Sequence, residues 1–179
     1  MSGSLKKIQT VDIGSGVSTF DIGGASWNSN YDVYVVKFYD VKLTSTSSDA
    51  RINVEILKSD NSPDTTSNYD YAFIGFRGGS TYDDLTDANT DKWQNFNYLF
   101  RGGTGFSANG VLYLFGFNNA SEHNFVTLET ASFGYGGDEL MGTVGSALHS
   151  VDQVARGLRF SLTTSTYASG KCVLYGIKN

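Results

Sequence analysis

Residues that commonly carry catalysis are few in this sequence, and their spacing matches no catalytic motif. The 179-residue chain has two histidines, His123 and His149, and a single cysteine, Cys172. No G-x-S-x-G sequence is present, so a Ser–His–Asp triad of the hydrolase type lacks its nucleophile turn. His149 has no second histidine four residues on and no cysteine pair, so the usual zinc spacing is absent. We therefore predict that the protein is not an enzyme and holds no metal or cofactor.

The cysteine is best explained as a core residue. In the closing segment Cys172 alternates with Leu174 and Gly176, which predicts one face of a β-strand. A cysteine among apolar neighbours packs as a small hydrophobic residue and is a poor nucleophile. We expect this face to contact an opposing sheet. The opposite face carries Tyr175 and Ile177, and we expect it to meet a neighbouring loop or a second subunit.

Acidic residues are more numerous but do not complete a metal site. Asp87, Asn89 and Asp91 have the spacing that opens a calcium-binding loop. The loop then fails, because Lys92 stands where its glycine is needed and Tyr98 where its bidentate acid is needed. We interpret the segment as a solvated acidic loop.

Adjacent acids raise the separate question of glycosidase chemistry. The chain has two such pairs, Asp83–Asp84 and Asp138–Glu139. A glycosidase places two carboxyl groups roughly 5–10 Å apart across a cleft, and adjacency in sequence does not indicate such a cleft. Solvated surface acids are the better interpretation of both pairs.

Aromatic side chains are the remaining chemical signal. They make up 14% of the residues, with 12 Phe, 11 Tyr and 2 Trp. A ring can cover the apolar face of a sugar, but packing across strands explains most rings in a β protein. Trp27 and Trp93 lie in polar, loop-like surroundings. We predict that these two form a ligand platform or a protein interface.

The elements that must position these residues are β-strands. Apolar and polar residues alternate in about ten segments, most clearly in "YDVYVVKFYDVKL", "ARINVEILKS" and "NYDYAFIGFRGG". The spacers are rich in Ser, Thr, Asn, Asp and Gly, which favour turns. This pattern predicts an all-β fold: a two-sheet antiparallel β-sandwich of about ten strands, with jelly-roll-like connections. We assign residues 1–14 to an N-terminal arm and lead-in strand, and 15–179 to a single sandwich domain.

Two segments have some helical character. In "STYDDLTDANTDKW", Ser80 or Thr81 is a suitable N-cap, and Asp83 and Asp84 would lie in the first turn, where the helix dipole favours negative charge. One or two helical turns are expected there. The segment "SALHSVDQVARG" fits either a short helix or the approach to a strand.

The charge balance disfavours several classes of partner. The formal net charge is −5, so neither nucleic acid nor an anionic membrane surface is expected to bind. No apolar run approaches the roughly 18 residues of a transmembrane helix. The two N-terminal lysines precede no apolar segment of the kind found in signal peptides. The single cysteine excludes an intramolecular disulfide and fits synthesis in a reducing cytosol.

Four stretches resemble a family of small β-sandwich virion proteins of tailed bacteriophages, abundant in marine and cyanobacterial phages. They are "NYDVYVVKFYDVKLTSTSSDARINVEI", "SNYDYAF", "ANGVLYLFGFNNASEHNFVTLE" and "VARGLRFSLTTSTYASGKCVLYGIKN". The last is the most specific, with its closing "LYGIK" strand. The chain departs from the family in the longer, acidic segment over residues 80–98, which leaves open a specialised contact or a bound ion there.

The resemblance implies a structural role in a virion assembled in the host bacterial cytoplasm. The expected function is that of an accessory or decoration-type component that docks on the capsid or tail through protein–protein contacts. The alternative is a receptor-binding or carbohydrate-binding knob of a tail fibre, with a host surface glycan as ligand. The resemblance further implies a homotrimer or a multimer imposed by the virion lattice.

Docking would need either a short arm or a surface patch. The candidate arm is Leu5, Lys6, Lys7 and Ile8, and its alternative is an ordinary first strand. The chain ends on its last predicted strand, so we expect attachment through this arm, the loops or the sheet faces. Candidate interface residues are Trp27, Trp93, Tyr175 and Ile177.

Overall fold

The computed structural model describes residues 4–45, 50–79, 82–100, 107–134 and 139–178, with the backbone alone for residues 97–100, 134 and 178. These residues form twelve β-strands, one 3-10 turn at Gly24–Ser26 and no α-helix. None of the described segments is a helix long and apolar enough to cross a membrane. The strands are β1 (Ser4–Ile13), β2 (Thr19–Gly23), β3 (Val33–Leu43), β4 (Ala50–Ile56), β5 (Tyr69–Arg77), β6 (Asp83–Thr90), β7 (Trp93–Phe100), β8 (Ala108–Phe115), β9 (Asn124–Gly134), β10 (Glu139–His149), β11 (Gly157–Leu162) and β12 (Tyr167–Lys178).

Two antiparallel sheets pack face to face, which confirms the predicted β-sandwich. The larger sheet has eight strands in the order β1-β12-β3-β8-β9-β10-β5-β6, and the smaller has four in the order β2-β11-β4-β7. The ten predicted strands are all present, and β6 and β10 are additional. The jelly-roll description of the connections stays a prediction.

Strand β6 replaces the predicted helical turns. Asp83 to Thr90 pair with β5 along the edge of the larger sheet, from Gly75 opposite Asp83 to Tyr69 opposite Thr90. The suggested N-caps, Ser80 and Thr81, lie outside the described residues. The helical prediction was wrong because pairing with β5 outweighs the local preference of a short acidic segment.

Strand β10 was not predicted, because the two glycines in its sequence, "ELMGTVGSALH", interrupt the alternation of apolar and polar residues. In the structure, an aromatic ring from the neighbouring strand packs across β10 at one of these glycines. Gly142 lies directly opposite Phe76 of β5, and a side chain at Gly142 would collide with the Phe76 ring. The glycine therefore marks a ring-packing position rather than a turn.

An aromatic ring also packs over a glycine at two other positions of the larger sheet. Gly110 of β8 lies opposite Phe38 of β3, whose ring covers it. The ring of Tyr31 covers Gly176 of β12 in the same way and occupies the place where a Cβ atom would lie. These three pairs account for some of the 21 glycines and for some of the aromatic residues of the sequence.

Aromatic rings also join the two sheets. Phe160 of the smaller sheet contacts Phe38 of the larger one edge to face, with ring centres 6.2 Å apart, and stacks on Phe20 of its own sheet at 4.9 Å. All three rings belong to one continuous core or pack against it. Offset-stacked and edge-to-face contacts of this kind are the favoured geometries of aromatic pairs.

The closing strand β12 lies inside the larger sheet, between β1 and β3. Cys172, Leu174 and Gly176 are buried towards the core, as the alternation predicted. Cys172 is fully buried, which confirms the interpretation of a core cysteine, and this burial raises the pKa of its thiol. On the opposite face Tyr175 and Ile177 are half-buried.

We predict that Gly110→Ala lowers the free energy of unfolding by about 1–3 kcal/mol, because the added methyl group overfills the space under a buried ring. Its Cβ would lie 2.5 Å from Phe38 Cζ. Urea unfolding measures the change. The matched control is Gly14→Ala, where no atom lies within 4 Å of the new Cβ. Equal unfolding midpoints for the two variants would contradict the ring-over-glycine account.

Candidate functional site

The larger sheet carries an unusual surface on the side that faces away from the core, and we call it the outer face. One cross-strand row on this face is apolar over six neighbouring strands, and we call it the apolar row. Its members are Leu5, Ile177, Val33, Phe115, Phe125 and Leu148, each directly opposite the next. Leu5 is 49% exposed, Phe115 37% and Phe125 49%.

The next row towards the middle of the strands has larger and smaller residues in alternation. Tyr175, Val35 and Tyr113 stand on three successive strands, followed by Thr127 and Ser146. The Tyr113 ring is 41% exposed. Val35 is buried although it points outward, and its two direct neighbours in the row are the tyrosines.

The first two rows carry charge at their outer ends, where Lys7 lies opposite Tyr175 and Asp70 opposite Leu148, and the third row carries charge at its centre. There Lys37, Val111 and Glu129 lie on β3, β8 and β9. The Lys37 ammonium lies 5.8 Å from the centre of the Tyr175 ring, a cation–π distance. Both charged side chains are exposed.

Small residues leave two shallow grooves on the outer face. The larger, about 400 Å³, is lined by Phe76, Val111 and Val144, and its polar lining includes Asn109 and Glu129. The smaller, about 280 Å³, lies beside Phe125, over Ala72 and Ser146. Both are open depressions on a sheet surface, so they suit a contacting surface better than an enclosed small molecule.

The smaller sheet has a charged row on its outward side. Asp21 and Arg159 of this row are half-buried, and Glu55 is buried. Arg159 donates two hydrogen bonds to the Asp21 carboxylate, at 2.7 and 2.8 Å. Burial raises the pKa of Glu55, although Lys92 and Arg159 act in the other direction. A β-sandwich normally exposes polar residues on its outer faces, so the apolar outer face of the larger sheet is the feature that needs an explanation.

Trp93 was predicted as a ligand platform, and the structure corrects this. Its side chain is 0% exposed and packs edge to face on Tyr69, with ring centres 5.2 Å apart. Its indole N–H donates a 2.8 Å hydrogen bond to the Leu148 carbonyl. The prediction was based on the polar residues next to Trp93 in the sequence. Trp93 is the first residue of β7 and its side chain points into the core, so no ligand can reach its ring.

Trp27 is half-buried, and its contacts are internal. The ring stacks on Tyr34 with ring centres 3.9 Å apart, and its N–H donates to the Asn118 side chain at 2.9 Å. Asn118 in turn donates to the Tyr31 carbonyl at 2.7 Å, so the indole helps to fix a loop. An interface role for the rest of this ring stays a prediction.

The other predicted site residues lie in β1 and β12. Leu5, Lys6, Lys7 and Ile8 belong to β1, which pairs with β12 as an edge strand of the larger sheet. Leu5 lies opposite Ile177 and Lys7 opposite Tyr175, and all four of these side chains point to the outer face. The structure thus joins part of the predicted arm to the predicted interface residues, while docking itself stays a prediction.

Sequence reasoning missed the central part of this surface, Tyr113, Phe115 and Phe125. The apolar run "GVLYLFGF" predicts a strand covered on both faces, which hides the fact that Tyr113 and Phe115 face outward. In "HNFVTLET" the alternation of Phe125 with Val126 was the available signal, since it places Phe125 on the polar side of its strand with Thr127 and Glu129.

Away from the outer face, one buried polar cluster surrounds His149. Its Nε2 lies 3.4 Å from Asp64 Oδ2, and both side chains are almost wholly buried. Burial opposes the charge of Asp64, yet hydrogen bonds from Thr66 and Gln153, together with His149, hold its pKa below the ordinary value. Burial lowers the pKa of His149, although Asp64 acts in the other direction. The side chains of His149 and Asp64 are closed to solvent, so we assign this pair to stability.

Comparison with known proteins yields no family. No family model matches the chain, and no curated protein does. Among solved structures, the marine PL-14 alginate lyase from Aplysia kurodai matches with a TM-score of 0.39 and 8% identity, over 95% of this chain and 82% of that chain. The CBM2 module of the evolved Dit of Lactobacillus casei BL23 phage J-1 matches with a TM-score of 0.29 and 9% identity, over 100% of this chain and 99% of that chain.

The first match contradicts the prediction that the protein is not an enzyme, because the matched structure is that of a lyase. That prediction therefore no longer stands. At TM-scores below 0.5 neither match assigns an activity or a ligand to this chain.

The His149–Asp64 pair predicts a loss of stability in mild acid. His149 stays neutral in the folded protein because its pKa lies below the ordinary 6.5. The unfolded chain takes up this proton as the pH falls through about 6.5, so the free energy of unfolding decreases below that pH. Asp64, whose pKa is also lowered, adds a further loss as the pH falls below its ordinary 3.8.

Chemical denaturation at a series of pH values between about 8 and 5 measures the effect. His149→Gln should flatten the decrease, since it removes the titrating ring. His123→Gln, which removes the other histidine, is the comparison; because the charge of His123 also lowers the pKa of His149, this variant should leave most of the decrease in place. A wild-type profile that His149→Gln leaves unchanged would show that the buried pair does not govern the acid response.

Proposed function

We propose that the protein is an accessory structural component of a tailed-phage particle, and that it is held in the particle by protein–protein contacts made with the outer face of its larger sheet. The observation that carries the proposal is the apolar row, which presents apolar side chains on six adjacent strands. The sequence resemblance to small phage virion proteins supports the particle context.

The chemistry of the row favours a protein as the occupant. None of its six side chains has a hydrogen-bonding group, so burial against another apolar surface is the favourable contact open to them. Interfaces between proteins have apolar cores enriched in aromatic residues and charged or polar rims. The outer face has this layout, with Phe115 and Phe125 in the row and Lys37 and Glu129 towards one side.

The position of the row within the fold also suits docking. Phe115 and Phe125 stand on β8 and β9, which are hydrogen-bonded to strands on both sides. Their backbone is therefore fixed before any partner arrives. A preorganised surface loses less conformational entropy on binding, which strengthens association for a given area.

A second candidate function, glycan binding, is favoured by one observation. The exposed Tyr113 ring stands on the same face of β8 as Val111, which lines the larger groove together with the polar side chains Asn109 and Glu129. An aromatic ring beside amide and carboxylate groups is a combination that can hold a sugar by stacking and hydrogen bonds.

The docking proposal predicts that Phe125→Lys weakens binding to particles at least about tenfold, because it places a charge in the centre of an apolar contact. The probe is purified protein added to gradient-purified particles of the encoding phage that lack the gene product. Binding is measured by co-sedimentation, and electron microscopy of labelled protein shows whether it lies on the head or the tail.

Thr19→Lys is the matched control, because Thr19 is exposed on the outward side of the smaller sheet. It adds the same charge and should leave binding unchanged. Wild-type protein that binds no particle, or a Phe125→Lys variant that binds as well as wild type, would overturn the proposal.

The glycan alternative predicts saturable binding on an array of host-surface polysaccharides that falls at least about tenfold in Tyr113→Ala, since stacking of one ring contributes a large part of a weak contact. Tyr82→Ala, which removes another strongly exposed tyrosine just before β6, is the control. No saturable binding by wild-type protein would eliminate this candidate.

A further inference from the structure

Strand β8 is the middle one of the five strands β12, β3, β8, β9 and β10 of the outer face. Val111, Tyr113 and Phe115 point outward from this strand. On its two sides lie β3 and β9, followed by β12 and β10. A two-fold axis running along β8 above the face would therefore exchange β3 with β9 and β12 with β10 between two copies.

We propose that in the free protein the outer face is covered by a second copy of this chain, packed face to face about such an axis. The inference goes beyond the proposed function, because the second copy covers the face before docking and is exchanged for the particle when the chain docks. Sheets that pack in this way keep their strands nearly aligned and lie about 10 Å apart.

Charge is the first argument for this partner. Lys37 and Glu129 flank Val111 in one cross-strand row. Among the described residues, neither side chain makes an ion pair within its own chain. The axis would place Lys37 of each copy opposite Glu129 of the other. Two opposite-charge pairs would then form, and the side chains of a lysine and a glutamate together span the gap between packed sheets.

Side-chain size is the second argument. Strands β12 and β10 would face each other, which sets the large Tyr175 against the small Ser146. In the apolar row, Ile177 would meet Leu148, and Val33 would meet Phe125. The three outward residues of β8 would meet their own copies. Each contact follows from the observed register, and none brings like charges together.

The area of the outer face determines the expected affinity of the dimer. Five strands and three outward rows cover a footprint of roughly 500 Å² on each copy. Specific interfaces bury about 800 Å² per partner, so this contact lies at the small end of the range. We expect a dimer with a dissociation constant in the micromolar range rather than the nanomolar one.

Sedimentation velocity and light scattering over roughly 1 μM to 1 mM test this expectation on the full chain. Wild-type protein should pass from monomer to dimer. Lys37→Glu and Glu129→Lys should each weaken dimerisation at least about tenfold, because each replaces two opposite-charge pairs by two like-charge pairs. Glu122→Lys, at an exposed loop position, makes the same charge change away from the face and should leave the dimer intact.

A mixture of the two single variants provides the decisive measurement. Across the proposed axis, a Lys37→Glu chain facing a Glu129→Lys chain regains both opposite-charge pairs. The mixture should therefore form a heterodimer although neither variant dimerises alone, and this result also shows that both variants are folded. The inference is overturned by wild-type protein that is monomeric throughout the range, by a trimer, or by a mixture that fails to associate.

The particle-binding experiment separates this inference from the proposed function. Monomeric wild-type protein that binds particles through Phe125 would refute the second copy and leave the docking function standing. A dimer with the expected charge behaviour that never binds particles would support the second copy and refute the docking function.

Discussion

Packing of aromatic rings over glycines is the interaction on which the larger sheet depends. At Gly110 and Gly176 the rings of Phe38 and Tyr31 occupy the space that a side chain would take. At Gly142 the ring of Phe76 does so on the outer side of the same sheet. Rings can therefore lie across the strands on both faces without forcing them apart. Without this fit, a sheet of eight strands could not bury rings as large as Phe38 and Phe160 against each other at the sheet-to-sheet contact.

A sheet with rings on both faces has a consequence for its surface. The smaller sheet carries on its outward side a half-buried ion pair between Arg159 and Asp21, which is compatible with water. The larger sheet exposes Phe115 and Phe125 at the middle of its width, where no loop of the described residues covers them. Water around such a patch is released when the patch is covered, so the free energy of the molecule favours a partner on this side and not on the other. The difference between the two outer faces is the physical basis of the functional proposal.

The alternation of apolar residues predicted the ten most regular strands, the sandwich and the burial of Cys172, because a period of two is a local property of the chain. Strands β6 and β10 could not be predicted in this way, since one is held by its pairing with β5 and the other by a ring from a distant segment. The burial of Trp93 and the contact between Asp64 and His149 likewise depend on residues far apart in sequence. The sequence predicted only part of the outer face. Tyr175 and Ile177 were predicted as interface residues, whereas the outward direction of Phe115 follows only from the strand register.

Register also bears on symmetry. The family resemblance suggested a trimer, yet a surface whose own residues complement one another, such as Lys37 with Glu129, is satisfied by a two-fold axis. Around a three-fold axis, each copy joins one patch to a different patch of its neighbour, so the two sides of the outer face would not meet each other. A trimer would therefore have to pack the outer face, with Phe115 and Phe125, against a different patch of the neighbouring copy, and Lys37 would not meet Glu129. A two-fold pair of chains would use the complementarity of Lys37 and Glu129, and a three-fold arrangement would not.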